Sequence, residues 1–325
     1  MTDHRFIDIS EDGARLRAES GRLRLERCGM SETPFVQTVP MHDLDAVVLA
    51  HDRVTVTGPA LAGLAKAGCG VVVCDNEKMP VGMLLPLTGH STQSERFRTQ
   101  AAAPLPLRKR LWQKIVKVKI RNQGLLLQDL HGDDAGLILL SAKVKSGDSS
   151  NLEAQAAQRY WKKLFPRKNG YFLRRREADD ENALLNYGYT VLRASTARAI
   201  CAAGLHPGLG IHHHNRYDAY CLADDLMEPF RPLVDGVVAV HARQTEKPCV
   251  DAAFKQMLIF ELGSPLQVGK ERRTLFDLLG HLASSLALTY MGEHTELVLP
   301  YLRSPILASV AGKDGGDGEG PEEQE

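Results

Sequence analysis

The six cysteines (Cys28, Cys69, Cys74, Cys201, Cys221 and Cys249) form no Cys-x-x-Cys pair. That removes the usual spacing of a structural zinc or dithiol site, and a chain of 325 residues has enough apolar sequence to fold without a disulfide framework. The cysteines therefore read as reduced, mostly buried thiols. No stretch approaches the ~18 to 20 apolar residues that a spanning helix requires, and the opening "MTDHRFIDISEDGARLRAE" has no basic segment followed by an apolar run. A soluble, cytoplasmic protein with no membrane partner is expected. Neither sign of charge is in excess: forty basic residues balance forty acidic ones, with a pI near 7.2. Any attraction for nucleic acid must then come from charge segregated along the chain. Internal repeats are also lacking.

What is present changes character part-way. Up to residue 76 the chain is written in short alternating or β-branched runs: "RLRLER" (22–27), "DAVVLA" (45–50), "VTVTG" (54–58) and "CGVVVCD" (69–75), the last preceded by the helix-like "PALAGLAKAG". Residues 77–94 fall in a stretch rich in Pro, Gly and polar residues and read as a linker. From 95 the apolar period becomes helical. A helix is predicted over 181–204, with Leu184, Tyr187, Val191 and Ser195 on one face, Asp179 or Asp180 at its start and Gly204 at its end. Another is predicted over 271–290. Residues 312–325 carry six acids against one lysine among many glycines, so they read as a disordered acidic tail. The expected class is α+β: a small N-terminal β-rich domain (1–76), a linker (77–94), a larger all-α domain (95–311) and the tail.

Charge is indeed segregated. Residues 108–121, "RKRLWQKIVKVKIR", hold seven basic residues and no acid; residues 159–176, "RYWKKLFPRKNGYFLRRR", hold eight and no acid, with Tyr160, Trp161, Phe165, Tyr171 and Phe172 interleaved. Basic side chains neutralise phosphates and aromatics stack on unpaired bases, so Arg159, Lys162, Lys163, Arg174, Arg175 and Arg176 are candidates for DNA contact. The alternative is a pair of solvated helix faces whose aromatics pack inward.

Acidic chemistry gathers in two places. In "SSNLEAQAAQRYWKKLF" (149–165), a helix capped by Ser149, Ser150 or Asn151 puts Glu153 on a face with Ala157, Tyr160, Trp161 and Leu164. In "GIHHHNRYDAYCLADDLMEPF" (210–230), Asp225 and Glu228 stand at i and i+3, and Asp224 and Glu228 at i and i+4. Like charges at that spacing repel unless a basic side chain, a proton or a metal lies between them. Imidazole with carboxylates suits Mg²⁺ or Mn²⁺. Ordinary helix N-terminal acids and a polar histidine loop would produce the same pattern.

The ordered blocks "NLEAQAAQRYW" (151–161), "NALLNYGYTVLRA" (182–194), "GLHPGLGIHHHNR" (204–216) and "LADDLMEPFRPLVD" (222–235) resemble the CRISPR adaptation integrase, the metal-dependent DNA endonuclease of spacer acquisition in antiviral defence. The block style looks like members from systems with a single large RNA-guided effector nuclease. The resemblance implies that Glu153, His213 and Glu228 are the catalytic residues and bind one Mg²⁺ or Mn²⁺. His213 is taken from His212–His214 because it stands three residues after Gly210, and Asp225 is the supporting or alternative acid. It implies further a 3′-hydroxyl transesterification joining short foreign DNA to a CRISPR repeat. Homodimerisation through the β-rich domain and a second, small adaptation protein complete the implied assembly. A structure-selective repair nuclease and a non-enzymatic DNA-binding scaffold are the competing functions.

Overall fold

A computed structural model describes residues 5–10, 12–28, 35–76, 80–86, 90–167, 170, 172–175, 180–245, 247–294 and 296–302. The predicted tail and Arg176 lie outside these residues, as does Tyr171.

Strands β1 (Arg5–Ile9), β2 (Gly13–Glu19), β3 (Arg22–Cys28), β4 (Phe35–Pro40), β5 (Leu44–Leu49), β6 (Val54–Val56), β7 (Gly70–Cys74) and β8 (Pro80–Leu84), with helix α1 (Gly58–Lys66), build the N-terminal part. They make two four-stranded sheets, ordered β4-β3-β2-β6 and β1-β5-β7-β8. The alternation of "RLRLER" acts as expected. Leu16 pairs across the ladder with Leu25, and both are buried with Leu23, while Arg24 on the other face meets Glu26 at 2.8 Å. Each fully buried leucine contributes roughly 2 kcal/mol of hydrophobic transfer. Ser20 and Gly21 both take positive φ, the left-handed pair that a two-residue hairpin needs to match strand twist.

The second sheet is parallel at β1–β5 and β5–β7 and antiparallel at β7–β8. Strand β8 lies inside residues 77–94, so the Pro- and Gly-rich stretch read as a linker extends the sheet. A period-two signal over only five residues, opened by Pro80, is easily hidden by flanking turn residues.

The C-terminal part comprises α2 (Gln93–Ala101), α3 (Leu105–His131), α4 (Leu137–Ala142), α5 (Leu152–Leu164), α6 (Glu181–Ala202), α7 (Cys221–Met227), α8 (Arg231–Gln244), α9 (Ala252–Gly263) and α10 (Leu275–Tyr290), with 3-10 turns at Ser146–Asp148 and Glu228–Phe230. The short strands β9 (Leu266–Val268) and β10 (Glu271–Arg273) form a hairpin, so residues 271–273 are strand rather than the start of the helix predicted there. Helix α10 starts after Thr274, which forms a reciprocal capping box with Asp277. The α+β architecture, β-rich first and helical second, is as expected.

One hydrophobic core lies between α1 and the two sheets around Leu16, Leu44, Val47 and Leu64; a larger one centres on Trp112, Tyr160, Leu192 and Phe230. Between them Val48, Ala50 and Val72 of the second sheet pack against Ala194 of α6. Arg198, one turn further on, places Nη1 2.6 Å from Asp45 Oδ1 and donates Nε–H to the Gly68 carbonyl. Phe6 and Phe276 meet at 5.1 Å across the same boundary. Of the described cysteines, none forms a disulfide; Cys69 and Cys221 are buried and Cys249 is exposed. Among the described residues no helix is long and apolar enough to cross a membrane.

Candidate active site

Helix α5 begins under a cap other than the one expected. Asn151 is left-handed (φ 50°), and the carboxylate of Asp148 accepts the amide N–H groups of Leu152 and Glu153 at 2.9 and 3.0 Å. The capping oxygens thus come from Asp148 of the preceding 3-10 turn, not from Ser149, Ser150 or Asn151. This fixes Glu153 in the first helical turn, facing α3. There its Oε1 lies 2.5 Å from Nζ of Lys119.

Lys119 reaches a second carboxylate. Glu228 Oε2 lies 2.7 Å from the same nitrogen, so the ammonium bridges two acids brought together from α5 and the Glu228–Phe230 turn. Glu228 is buried, and Oε2 makes ionic contact without a hydrogen bond of acceptable angle. Its other oxygen is 3.0 Å from Nε of Arg231 on α8. Burial pushes the Glu228 carboxyl upward, but Arg231 and Lys119 overcome that effect and hold it below the usual carboxylate range. Burial likewise pulls the Lys119 ammonium down; Glu228 and Glu153 more than compensate and raise it.

The turn carrying Glu228 is held by Asn122, three residues after Lys119 on α3. Its side-chain amide donates to the carbonyls of Pro229 (2.8 Å) and Pro300 (3.3 Å), and its carbonyl accepts Leu302 N–H at 3.1 Å. Asn122 therefore sets the spacing between the lysine and its second acid.

The histidine loop is built around Asp225. This carboxylate is fully buried; Oδ2 accepts the amides of Ile211 (2.6 Å) and His212 (2.9 Å), and Oδ1 accepts that of His213 (3.3 Å) and the Nδ1–H of His213 (2.6 Å). The bond to Asp225 raises the His213 imidazole above its ordinary value and directs Nε2 away from the carboxylate. Both Asp225 oxygens are engaged in holding the loop. Gly210 makes the loop possible, because an added Cβ would stand 2.3 Å from the His213 carbonyl oxygen. His212 stacks flat on Trp112 of α3 at 4.2 Å, and the Trp112 ring meets His213 edge-on at 5.8 Å. His214 donates through Nδ1 to the His213 carbonyl.

The third acid of this segment has another partner again. Asp224 makes a two-pronged pair with Arg193 of α6, at 2.7 and 2.9 Å. The charge repulsion foreseen in "ADDLME" is thus resolved by giving each of the three acids its own cationic or donor partners.

Among the described residues no three His, Cys, Asp or Glu side chains already close on one metal position. Glu153 and Glu228 close on an ammonium instead. The donor set still fits a divalent ion: two carboxylates that already share one cation position, beside an imidazole whose Nδ1 is already fixed.

Sequence reasoning missed Lys119, Asn122, Arg231 and a polar knot beneath them, in which Tyr160 and Tyr189 donate to Asp235 at 2.6 and 2.5 Å. Arg231 lies over the Tyr189 ring at 4.4 Å, so the knot touches the site through Glu228's partner. The basic segment 159–176 also differs from its reading. Tyr160, Phe165 and Phe172 are buried, so they are unavailable to stack on bases, and Trp161 is half-buried against Phe165 and Phe172. Lys163 pairs with Asp133 (2.9 Å), and Arg174 turns inward to Asn182 and Asn186. Arg159, Lys162 and Arg175 are exposed. A cleft of about 390 Å³ opens beside His213, lined by Arg174, Asn186, Arg193, Asp224 and Arg231.

Comparison with known proteins decides the family. Residues 7–248 match the model for CRISPR associated protein Cas1. The chain belongs to the Cas1 family. A CRISPR-associated endonuclease Cas1 of Neisseria meningitidis serogroup C (strain 8013) is 32% identical over 280 residues, covering 85% of this chain and 89% of the relative. The fold is shared with a casposase bound to integration product, at TM-score 0.74, 20% identity, and coverage of 90% of this chain and 92% of that one. It is shared too with a Cas6-RT-Cas1–Cas2 complex, at TM-score 0.68 and 20% identity, over 93% of this chain and 36% of that one. As a Cas1 member the chain is a CRISPR-associated endonuclease.

Proposed function

We propose that this Cas1 chain joins the 3′-hydroxyl of a short foreign duplex to a phosphodiester at the edge of a CRISPR repeat. Glu153, Glu228 and His213 Nε2 are its metal ligands. The observation that carries this reading is the meeting of Glu153 and Glu228 on one cation position, 2.5 and 2.7 Å from Lys119 Nζ, next to a histidine fixed by a buried acid.

A bound Mg²⁺ or Mn²⁺ supplies the positive charge that polarises the scissile phosphate and stabilises the attacking and leaving oxygens. The protein groups do the rest. Asp225 holds the Nδ1 proton of His213 and so presents the Nε2 lone pair outward. Arg231 keeps Glu228 ionised in a buried setting. The arginine-lined cleft beside His213 offers phosphate contacts that hold the strand in line. In the transfer, the incoming 3′ oxygen loses its proton and bonds to phosphorus. The 3′ oxygen of the flanking nucleotide on the other side of that phosphate departs with the bonding pair and takes up a proton.

Residues 1–76 are taken as the dimerisation domain and 95–311 as the catalytic domain. A homodimer and a second small adaptation protein complete the assembly on double-stranded DNA; the likeness to the Cas1–Cas2 complex supports this reading.

The test is strand transfer of a labelled short duplex into repeat-bearing supercoiled DNA, with Mn²⁺ or Mg²⁺ against EDTA. Product should require metal and fall by at least about 10³-fold in His213→Ala, Glu153→Gln and Glu228→Gln, as for loss of a group central to transition-state charge. DNA binding should change little, because phosphate contacts are separate. Transfer that survives EDTA or all three substitutions refutes the assignment.

A further inference from the structure

Neither the family resemblance nor the metal reading calls for Lys119. Its ammonium is mostly buried, with 12% of the side chain exposed, and it contacts both proposed ligands, Glu153 Oε1 at 2.5 Å and Glu228 Oε2 at 2.7 Å. Its aliphatic stem rises from a rigid part of α3. Ile115, Val116 and Ile120 around it are fully buried, and Asn122 on the next turn is bonded to the Glu228 turn. The lysine is therefore built into the site rather than laid across it from solvent.

Two carboxylates sharing one buried position repel strongly, and without a cation one would have to protonate or move away. An ammonium between them removes that repulsion. It also lowers the attraction for any other cation: a divalent ion approaching Glu153 and Glu228 meets a positive charge at a contact distance from both oxygens it requires, in a setting of low local dielectric. The same contact thus does two opposite things, holding the ligands in place and competing for them.

We propose that Lys119 is an internal counter-ion that organises the metal-free site and sets its metal affinity by competition, its ammonium leaving the Glu153–Glu228 position when a divalent cation takes it. This rests on the metal-centre reading above. Strand transfer is consequently tuned by how firmly α3 presents Lys119, and the metal site is deliberately weaker than its two carboxylates and imidazole would make it alone.

The experiment is calorimetric titration of Mn²⁺ into the full-length protein, paired with thermal melting in EDTA and in Mn²⁺, for the unsubstituted chain, Lys119→Met and Lys119→Arg, with His213→Ala in parallel. Methionine keeps the packed stem and removes the charge; arginine keeps the charge and adds a two-pronged hold on carboxylates. Lys119→Met should melt lower than the unsubstituted protein in EDTA, bind Mn²⁺ at least about tenfold more tightly, and show a larger Mn²⁺-induced rise in melting temperature. Lys119→Arg, which folds with the site charge intact, should bind Mn²⁺ more weakly than the unsubstituted protein, and this arm stands even if the methionine variant does not fold. Loss of Mn²⁺ binding in His213→Ala with unchanged or weaker binding in Lys119→Met, or with unchanged binding in Lys119→Arg, overturns the counter-ion role alone. If His213→Ala binds Mn²⁺ as well as the unsubstituted protein does, the metal-centre reading falls and this inference with it.

Discussion

Asp235 shows how a residue buried for structural reasons acquires a measurable signature. Burial pushes its carboxyl up to about 6, against the opposing pull of the Tyr160 and Tyr189 hydroxyls that donate to it. Because the folded value lies above the unfolded one, the folded state holds the extra proton. The associated stability is fully present below about pH 4 and is lost as pH rises through about 6. Over that window the stability of the unsubstituted protein relative to Asp235→Asn should fall by on the order of 2 to 3 kcal/mol, then stay level above about pH 7. Urea unfolding of both proteins at a series of pH values measures this; a difference that is flat from pH 4 to 7 would contradict it. Individual residues were unevenly legible. Glu153, His213 and Glu228 were singled out by the family resemblance, and the need for a basic side chain, a proton or a metal between acids followed from charge spacing alone. Lys119 was not identifiable, because seven basic residues share its segment and only the helical phase relative to α5 and the Glu228 turn selects one of them.

At the scale of elements, α3 is the spine on which the site is aligned. It supplies Trp112 to the histidine loop, Lys119 to the two acids and Asn122 to the turn beyond them. Asn122→Ala removes three hydrogen bonds made in a buried setting, at a cost of about 1 to 3 kcal/mol. It should also loosen the Glu228 turn, so strand transfer is expected to fall about tenfold or more while DNA affinity is kept, as measured by transfer assay and gel shift. Activity equal to that of the unsubstituted protein would show that the turn is held by other contacts. From sequence, α3 announced itself as a basic segment and invited a DNA-facing role. Its apolar positions, interleaved with the charges, in fact form one wall of the large core, so much of the helix serves packing and the support of the candidate site. The cap of α6 was legible to within the pair Asp179 or Asp180, of which Asp180 caps, and that of α5 was illegible because a left-handed turn lets Asp148 reach forward.

At the scale of the whole molecule, the order β-rich then helical was readable because the hydrophobic period changes from 2 to 3.6 near residue 95. The junction was not, since pairing of β8 and docking of α6 on the sheet depend on contacts far apart in sequence. Arg198 and Asp45 join the two parts at 2.6 Å, with Asp45 almost wholly buried. Arg198→Ala takes the guanidinium from a buried carboxylate and should cost about 3 kcal/mol. Adding Asp45→Asn should recover more than half of that in urea unfolding; a double variant no more stable than Arg198→Ala would assign the loss to Arg198's own packing.

Helix α6 touches the sheet through Ala194 and Arg198 and the helical part around the candidate site through Tyr189 and Arg193, within less than three helical turns. For anyone assembling hybrids between Cas1 relatives, this makes the apparent seam near residues 77–94 the wrong place to exchange parts. A transplanted β-rich half carries its own residues at 45, 48 and 72 and will seat only on a helix cut to match at 194 and 198. The exchangeable unit thus includes the sheet and the sheet-facing side of α6, and a first screen of compatibility between donors takes those five positions together with 6 and 276, which meet across the same boundary.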